Sequence, residues 1–84
     1  MLAYSNTNWD IKLPLLSAKE LIKILEDLGF TEIRQKGSHK YFKHADGRVT
    51  VVHFHSGRDI GRGLLRKIIK EIEIERDDFL QYVK

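Results

Sequence analysis

Residues 34–54 read Arg34-Gln35-Lys36-Gly37-Ser38-His39-Lys40-Tyr41-Phe42-Lys43-His44-Ala45-Asp46-Gly47-Arg48-Val49-Thr50-Val51-Val52-His53-Phe54. Two turn signals separate three strand-like runs here, about 31–36, 39–44 and 49–54, each mixing β-branched or aromatic residues with polar ones. Gly37-Ser38 joins the first run to the second. Asp46-Gly47 is the strongest short hairpin signal in the chain, because both residues tolerate the positive φ of a tight turn. A three-stranded antiparallel meander is expected.

If Asp46-Gly47 closes a two-residue turn, residues whose numbers sum to 93 oppose each other. Phe42 then faces Val51 and His44 faces Val49, so Phe42, Val49 and Val51 share the core face. His39, Tyr41 and Lys43 take the opposite, solvent face, set against Phe54, Val52 and Thr50. A three-residue bulged turn shifts this register.

Upstream, Ser17-Ala18-Lys19-Glu20 is a capping box, with Leu16 and Leu21 at the positions of a hydrophobic staple. Leu21, Ile22, Ile24, Leu25 and Leu28 follow at helical spacing and Gly29 ends the run, which predicts a helix over 18–28. Downstream of Ser56-Gly57, a loop leads into a second amphipathic helix. Its apolar stripe is Leu64, Leu65, Ile68, Ile69 and Ile72, with Arg62, Arg66, Lys67 and Lys70 off that stripe. A short helix over 76–82 offers Phe79, Leu80 and Val83 to the core. The expected fold is α+β: helix, three-stranded antiparallel sheet, helix and short C-terminal helix. Residues 1–12, with Tyr4 and Trp9, lack clear periodicity and read as an N-terminal extension open to disorder, ahead of a folded domain at 13–84.

At 84 residues the chain can close one core, but it cannot hold a dinucleotide-binding sheet or a barrel beside a second domain. It has no Cys, so disulfides, thiolate zinc sites and cysteine nucleophiles are excluded. Walker-type phosphate loops and serine triads are also missing from the sequence. No stretch is apolar enough to span a bilayer, and the start has neither the basic residues nor the apolar run of a secretory signal. A cytoplasmic location and no membrane partner are expected.

The formal net charge is only +3, but its distribution is uneven. Between Arg34 and Lys70 ten Lys/Arg stand against Asp46 and Asp59, a local charge of +8, whereas the flanks together carry −5. Such a segment is either a surface for a polyanion, phosphate backbones being the commonest, or a solvated face. Four histidines raise the question of a metal, and His53 and His55 would point to the same side of a strand. Two imidazoles with few carboxylates nearby make an incomplete site, so none is expected.

His39 follows Gly37-Ser38 at the start of a strand, a rigid but exposed position, with Arg34, Lys36, Lys40 and Lys43 nearby to hold phosphates. RNA carries its own nucleophile, the 2′-hydroxyl. Strand cleavage then needs only a base for that proton and an acid for the leaving oxygen, and imidazole can serve as either near neutral pH. These residues alone leave two readings open, a catalytic histidine or an ordinary surface one.

The block Gly37-Ser38-His39-Lys40-Tyr41-Phe42 is preceded by Arg34-Gln35-Lys36 and followed by Val49-Thr50-Val51, by His55-Ser56-Gly57-Arg58-Asp59-Ile60 and by Gly63-Leu64-Leu65-Arg66. In that order and spacing it closely resembles the HicA (YcfA-like) mRNA interferase toxins, from about Leu13 to the end. The resemblance implies a double-stranded-RNA-binding-domain-like fold, ribonuclease activity on mRNA without a required metal or small-molecule cofactor, and neutralisation by a HicB antitoxin. It places the catalytic histidine at His39. The chain departs from the family at His53 and Gly61, where proline is common, and at Leu64, where threonine is common.

The expected function is therefore that of a type II toxin, a ribonuclease with His39 as general acid or base. Arg34, Lys36, Lys40 and Lys43 would bind RNA phosphates and Gly37-Ser38 would present the histidine, while Arg62, Arg66 and Lys67 either extend that surface or are simply solvated on the helix face. A single histidine serves one proton transfer; Tyr41, a lysine, water or the substrate would serve the other. The competing class is a non-catalytic RNA-binding module of the same fold.

Overall fold

A computed structural model describes residues 13–55 and 57–83. The extension 1–12 and its aromatic residues lie outside the described residues. The elements in chain order are β1 (Leu16–Ser17), α1 (Ala18–Asp27), β2 (Phe30–Lys36), β3 (His39–His44), β4 (Val49–His53), β5 (Asp59–Ile60), α2 (Arg62–Glu71) and α3 (Arg76–Leu80). The predicted helices and meander all form. β1 and β5 were not foreseen; they pair antiparallel, Leu16 with Ile60 and Ser17 with Asp59, and tie the start of α1 to the start of α2.

The capping box starts α1 as expected. Ser17 Oγ accepts from the Glu20 amide at 3.1 Å, and Glu20 Oε1 accepts from the Ser17 amide at 2.8 Å. A cap of this kind contributes about 1 kcal/mol. Leu21, Ile24 and Leu25 of α1 meet Leu65, Ile68, Ile69 and the following Ile72 of α2 over one face of the sheet, where Phe30, Phe42 and Val52 are also buried. Phe79 of α3 closes the same core. Burying a side chain of this size contributes about 1.5–3 kcal/mol. No helix among the described residues is long and apolar enough to cross a membrane.

The sheet order is β2-β3-β4, so β3 is central. Its pairing with β4 corrects the two-residue-turn register by one residue: Phe42 opposes Thr50, Tyr41 opposes Val51 and His39 opposes His53. The connection is a three-residue turn, Ala45-Asp46-Gly47. The Gly47 amide donates to the His44 carbonyl at 2.9 Å, and the His44 amide donates to the Arg48 carbonyl at 2.9 Å. Gly47 takes φ +104°, the left-handed residue that completes a type I turn with a G1 bulge. Because side chains alternate along a strand, that one residue exchanges the faces of β4. Thr50 and Val52 enter the core with Phe42, all three at most 1% exposed, while Val49 is 44% exposed on the outer face.

α2 ends in a Schellman motif. The Ile74 amide donates to the Ile69 carbonyl at 3.4 Å and the Glu73 amide to the Lys70 carbonyl at 3.1 Å. Glu73 occupies the left-handed position at φ +57°, where glycine would be unstrained.

Candidate functional site

The outer face of the sheet carries the site. β2 and β3 join through Gly37-Ser38, with Gly37 at φ +60° in the first central position, as a type II′ hairpin requires. Gln35 Nε2 donates to the Gly37 carbonyl at 2.9 Å, and the Phe54 amide donates to the Ser38 carbonyl at 2.6 Å. The turn is thereby pinned from both sides, and His39 starts the central strand on a fixed backbone.

Directly opposed residues of an antiparallel pair share a face. Lys36 pairs with His39, Arg34 with Tyr41 and Thr31 with Lys43, a bulge between Glu32 and Arg34 keeping the register. Arg34, Lys36 and Lys43 therefore share the outer face with His39 and Tyr41. The Arg34 guanidinium lies 4.5 Å from the centroid of the Tyr41 ring. Lys36 and Lys43 have no ion-pair partner among the described residues.

The His39 and His53 rings stack with centroids 4.2 Å apart and planes inclined by 38°. Neither imidazole makes a hydrogen bond among the described residues. Both line a cleft of about 270 Å³ between the outer edge of β4 and α2, together with Tyr41, Val51, Lys67 and Glu71. Glu71 is already committed, its Oε1 accepting from the buried Thr50 hydroxyl at 2.9 Å. Lys67 alone of the three α2 cations considered from sequence reaches this cleft; the Arg62 Nε donates to the Leu13 carbonyl at 2.7 Å.

Lys40 points to the other face. Its Nζ lies 3.8 Å from Glu32 Oε1 and 4.7 Å from the Phe54 ring centroid, so the structure does not bring it together with His39. His53 is what the sequence reading missed as a neighbour of His39. Its signal was turn length: a sum of 93 sets Phe54 opposite His39, whereas the observed bulged turn sets His53 there. Among the described residues no group of three or more His, Cys, Asp or Glu side chains is arranged to hold a metal ion.

The far end of β3 is built differently. Arg48 Nε donates to Asp46 Oδ1 at 3.0 Å and Oδ2 at 2.9 Å, and Arg48 Nη1 donates to the Ile72 carbonyl at the end of α2. Arg48 hydrogen bonding holds the Asp46 carboxyl below its ordinary value, against a smaller opposing pull from desolvation. His44 Nδ1 lies 3.1 Å from both the Asp46 amide nitrogen and Asp46 Oδ1. The amide can only donate, so Nδ1 accepts there, and the carboxylate contact becomes an ion pair only on protonation. The His44 ring also meets Phe30 edge-on at 5.2 Å.

A family model describing the HicA toxins of bacterial toxin–antitoxin systems matches residues 18–74, from the first residue of α1 to just beyond the cap of α2. The chain belongs to the HicA toxin family. A comparison with curated proteins returned no match. The α+β fold, with helices flanking a three-stranded antiparallel sheet, is the double-stranded-RNA-binding-domain-like fold of HicA. HicA membership carries a toxin role and an antitoxin partner.

Proposed function

We propose that this HicA toxin is an endoribonuclease, an mRNA interferase that needs no metal, with His39 as a general acid or base. One observation carries the reading: a half-buried imidazole, anchored by a pinned hairpin, shares its sheet face with Arg34, Lys36 and Lys43 and lines a cleft with Tyr41 and Lys67. The cations hold phosphates on either side of the scissile bond, and the Gly37-Ser38 turn gives the backbone close approach. Lys40 must leave Glu32 and Phe54 to join them, so it contributes least to binding. The 2′-hydroxyl loses its proton to a base and attacks phosphorus, and the 5′-oxygen leaves with a proton from an acid. The products are a 2′,3′-cyclic phosphate and a 5′-hydroxyl. The antitoxin is of the HicB type, and it neutralises the toxin by covering this face.

Induced expression of the parent and of His39→Ala tests the reading. The parent arrests growth and depletes mRNA, and His39→Ala does neither, its cleavage in vitro falling about 10²–10⁴-fold. Equal mRNA depletion by the two would remove His39 from the chemistry. RNA binding without cleavage by the parent would establish the binding-module alternative.

A further inference from the structure

Cleavage by transesterification moves two protons, and His39 accounts for one. We propose that His53 is the second proton-transfer group, so that the stacked imidazoles of His39 and His53 act as one general base and one general acid. The proposal rests on the ribonuclease reading above.

Three observations carry it. The observed β3–β4 register places the two histidines directly opposite each other on the outer face. Their rings stack at 4.2 Å and are not joined edge to edge, so the nitrogen-bearing edge of each stays available to a third molecule. Both histidines line the same cleft, which Tyr41 and Lys67 also border. In an in-line displacement the attacking and leaving oxygens stand on opposite sides of phosphorus, only a few ångströms apart. Two adjacent imidazoles can serve both oxygens of one phosphate.

The other cleft groups are less suited. Only imidazole ordinarily exchanges its proton near neutral pH, while phenols and ammonium groups as types titrate more than three units higher. Tyr41 already carries the Arg34 guanidinium on its ring, and the Glu71 carboxylate accepts from Thr50. Lys67 then serves by its charge, stabilising the phosphorane-like transition state.

In the catalytic step the neutral imidazole takes the 2′-hydroxyl proton as the O2′–P bond forms. The protonated imidazole gives its proton to O5′ as the P–O5′ bond breaks. The pair ends with its protons exchanged, and hydrolysis of the cyclic phosphate or exchange with water restores it.

The test compares the full chain with His39→Ala, His53→Ala and His53→Phe on two RNA oligonucleotides, one ordinary and one with a bridging 5′-sulfur at the mapped cleavage position. Sulfur leaves without help from an acid. His53→Phe keeps an aromatic stack on His39 but carries no proton. On ordinary RNA both His53 variants should fall about 10²–10⁴-fold. On the sulfur substrate either His39→Ala or His53→Ala should recover, identifying the acid, while the other stays slow.

The proposal fails if His53→Phe cleaves ordinary RNA within about threefold of the parent, since His53 would then only support the ring of His39. It also fails if neither alanine variant recovers on sulfur. A fully active His39→Ala would instead remove His39 from the chemistry, and with it the premise of the pair, whereas a parent chain that binds RNA without cleaving it would sink the ribonuclease reading itself.

Discussion

The two ends of β3 each begin or finish with a histidine, and they use it in opposite ways. At the turn end, His44 accepts from the Asp46 amide, packs on Phe30 and sits in a lattice in which Arg48 clasps Asp46 and reaches the last turn of α2. At the other end, His39 has a pinned backbone and a side chain whose only partner among the described residues is another imidazole. Polar groups with satisfied partners hold structure in place; a titratable group that is positioned but unsatisfied is available to a ligand. The contrast separates the histidine that holds the fold from the one proposed to do chemistry.

The sharpest way to break this contrast is to exchange the phenotypes of the two ends. His39→Ala should cost the full 10²–10⁴-fold in cleavage while leaving the thermal midpoint within a degree or two of the parent, roughly the resolution of a small ΔΔG. Arg48→Ala should do the reverse. It removes the clasp on Asp46 and strips the Ile72 carbonyl of its donor, lowering stability by about 1–3 kcal/mol in a denaturant melt with cleavage intact at low temperature.

A smaller effect sharpens the picture of the outer face. Lys43→Ala should weaken RNA binding uniformly across sequences and lower the slope of log K against log salt by about one. Lys40→Ala should change that slope less, because its ammonium is engaged beneath the sheet by Glu32 and Phe54. An equal loss from both would mean that Lys40 swings to the outer face when RNA binds.

The smallest effect is acid sensitivity at the turn. Asp46 has its folded-state pKa depressed by Arg48. Its contribution is therefore complete above the unfolded carboxyl value of about 3.9 and disappears as pH falls through the lower folded value. Asp46→Asn should be slightly less stable than the parent at neutral pH, and the difference should shrink in acid denaturation curves below about pH 4. A difference that grows on acidification would contradict the assignment of the shift to Arg48.

Much of this molecule was legible from local sequence. The capping box at Ser17 and Glu20, the period of α1 and α2 and the two glycine turns are short-range features, and each produced the element it predicted. The charge segment was legible too, because it requires only counting. What could not be read was which members of that segment meet. Arg62 turned out to hold the Leu13 carbonyl, Lys40 to sit between Glu32 and Phe54, and Lys67 to border the cleft. Such partners are distant in sequence or lie on a face set by register, and charge alone does not distinguish them.

By itself the amino-acid sequence determined the α+β order, the helix start, the place of His39 at the head of a strand after the Gly37-Ser38 turn and the cationic stretch around it. Tertiary structure decided that His39 has His53 and not Phe54 across the sheet. Asp46-Gly47 suits a two-residue turn or a three-residue bulged one, and the choice falls to the core, which buries Thr50 and Val52 beside Phe42 and joins Thr50 to Glu71. Because side chains alternate with a period of two, that packing choice moves a whole strand from one face to the other, and it brings the second imidazole to the site.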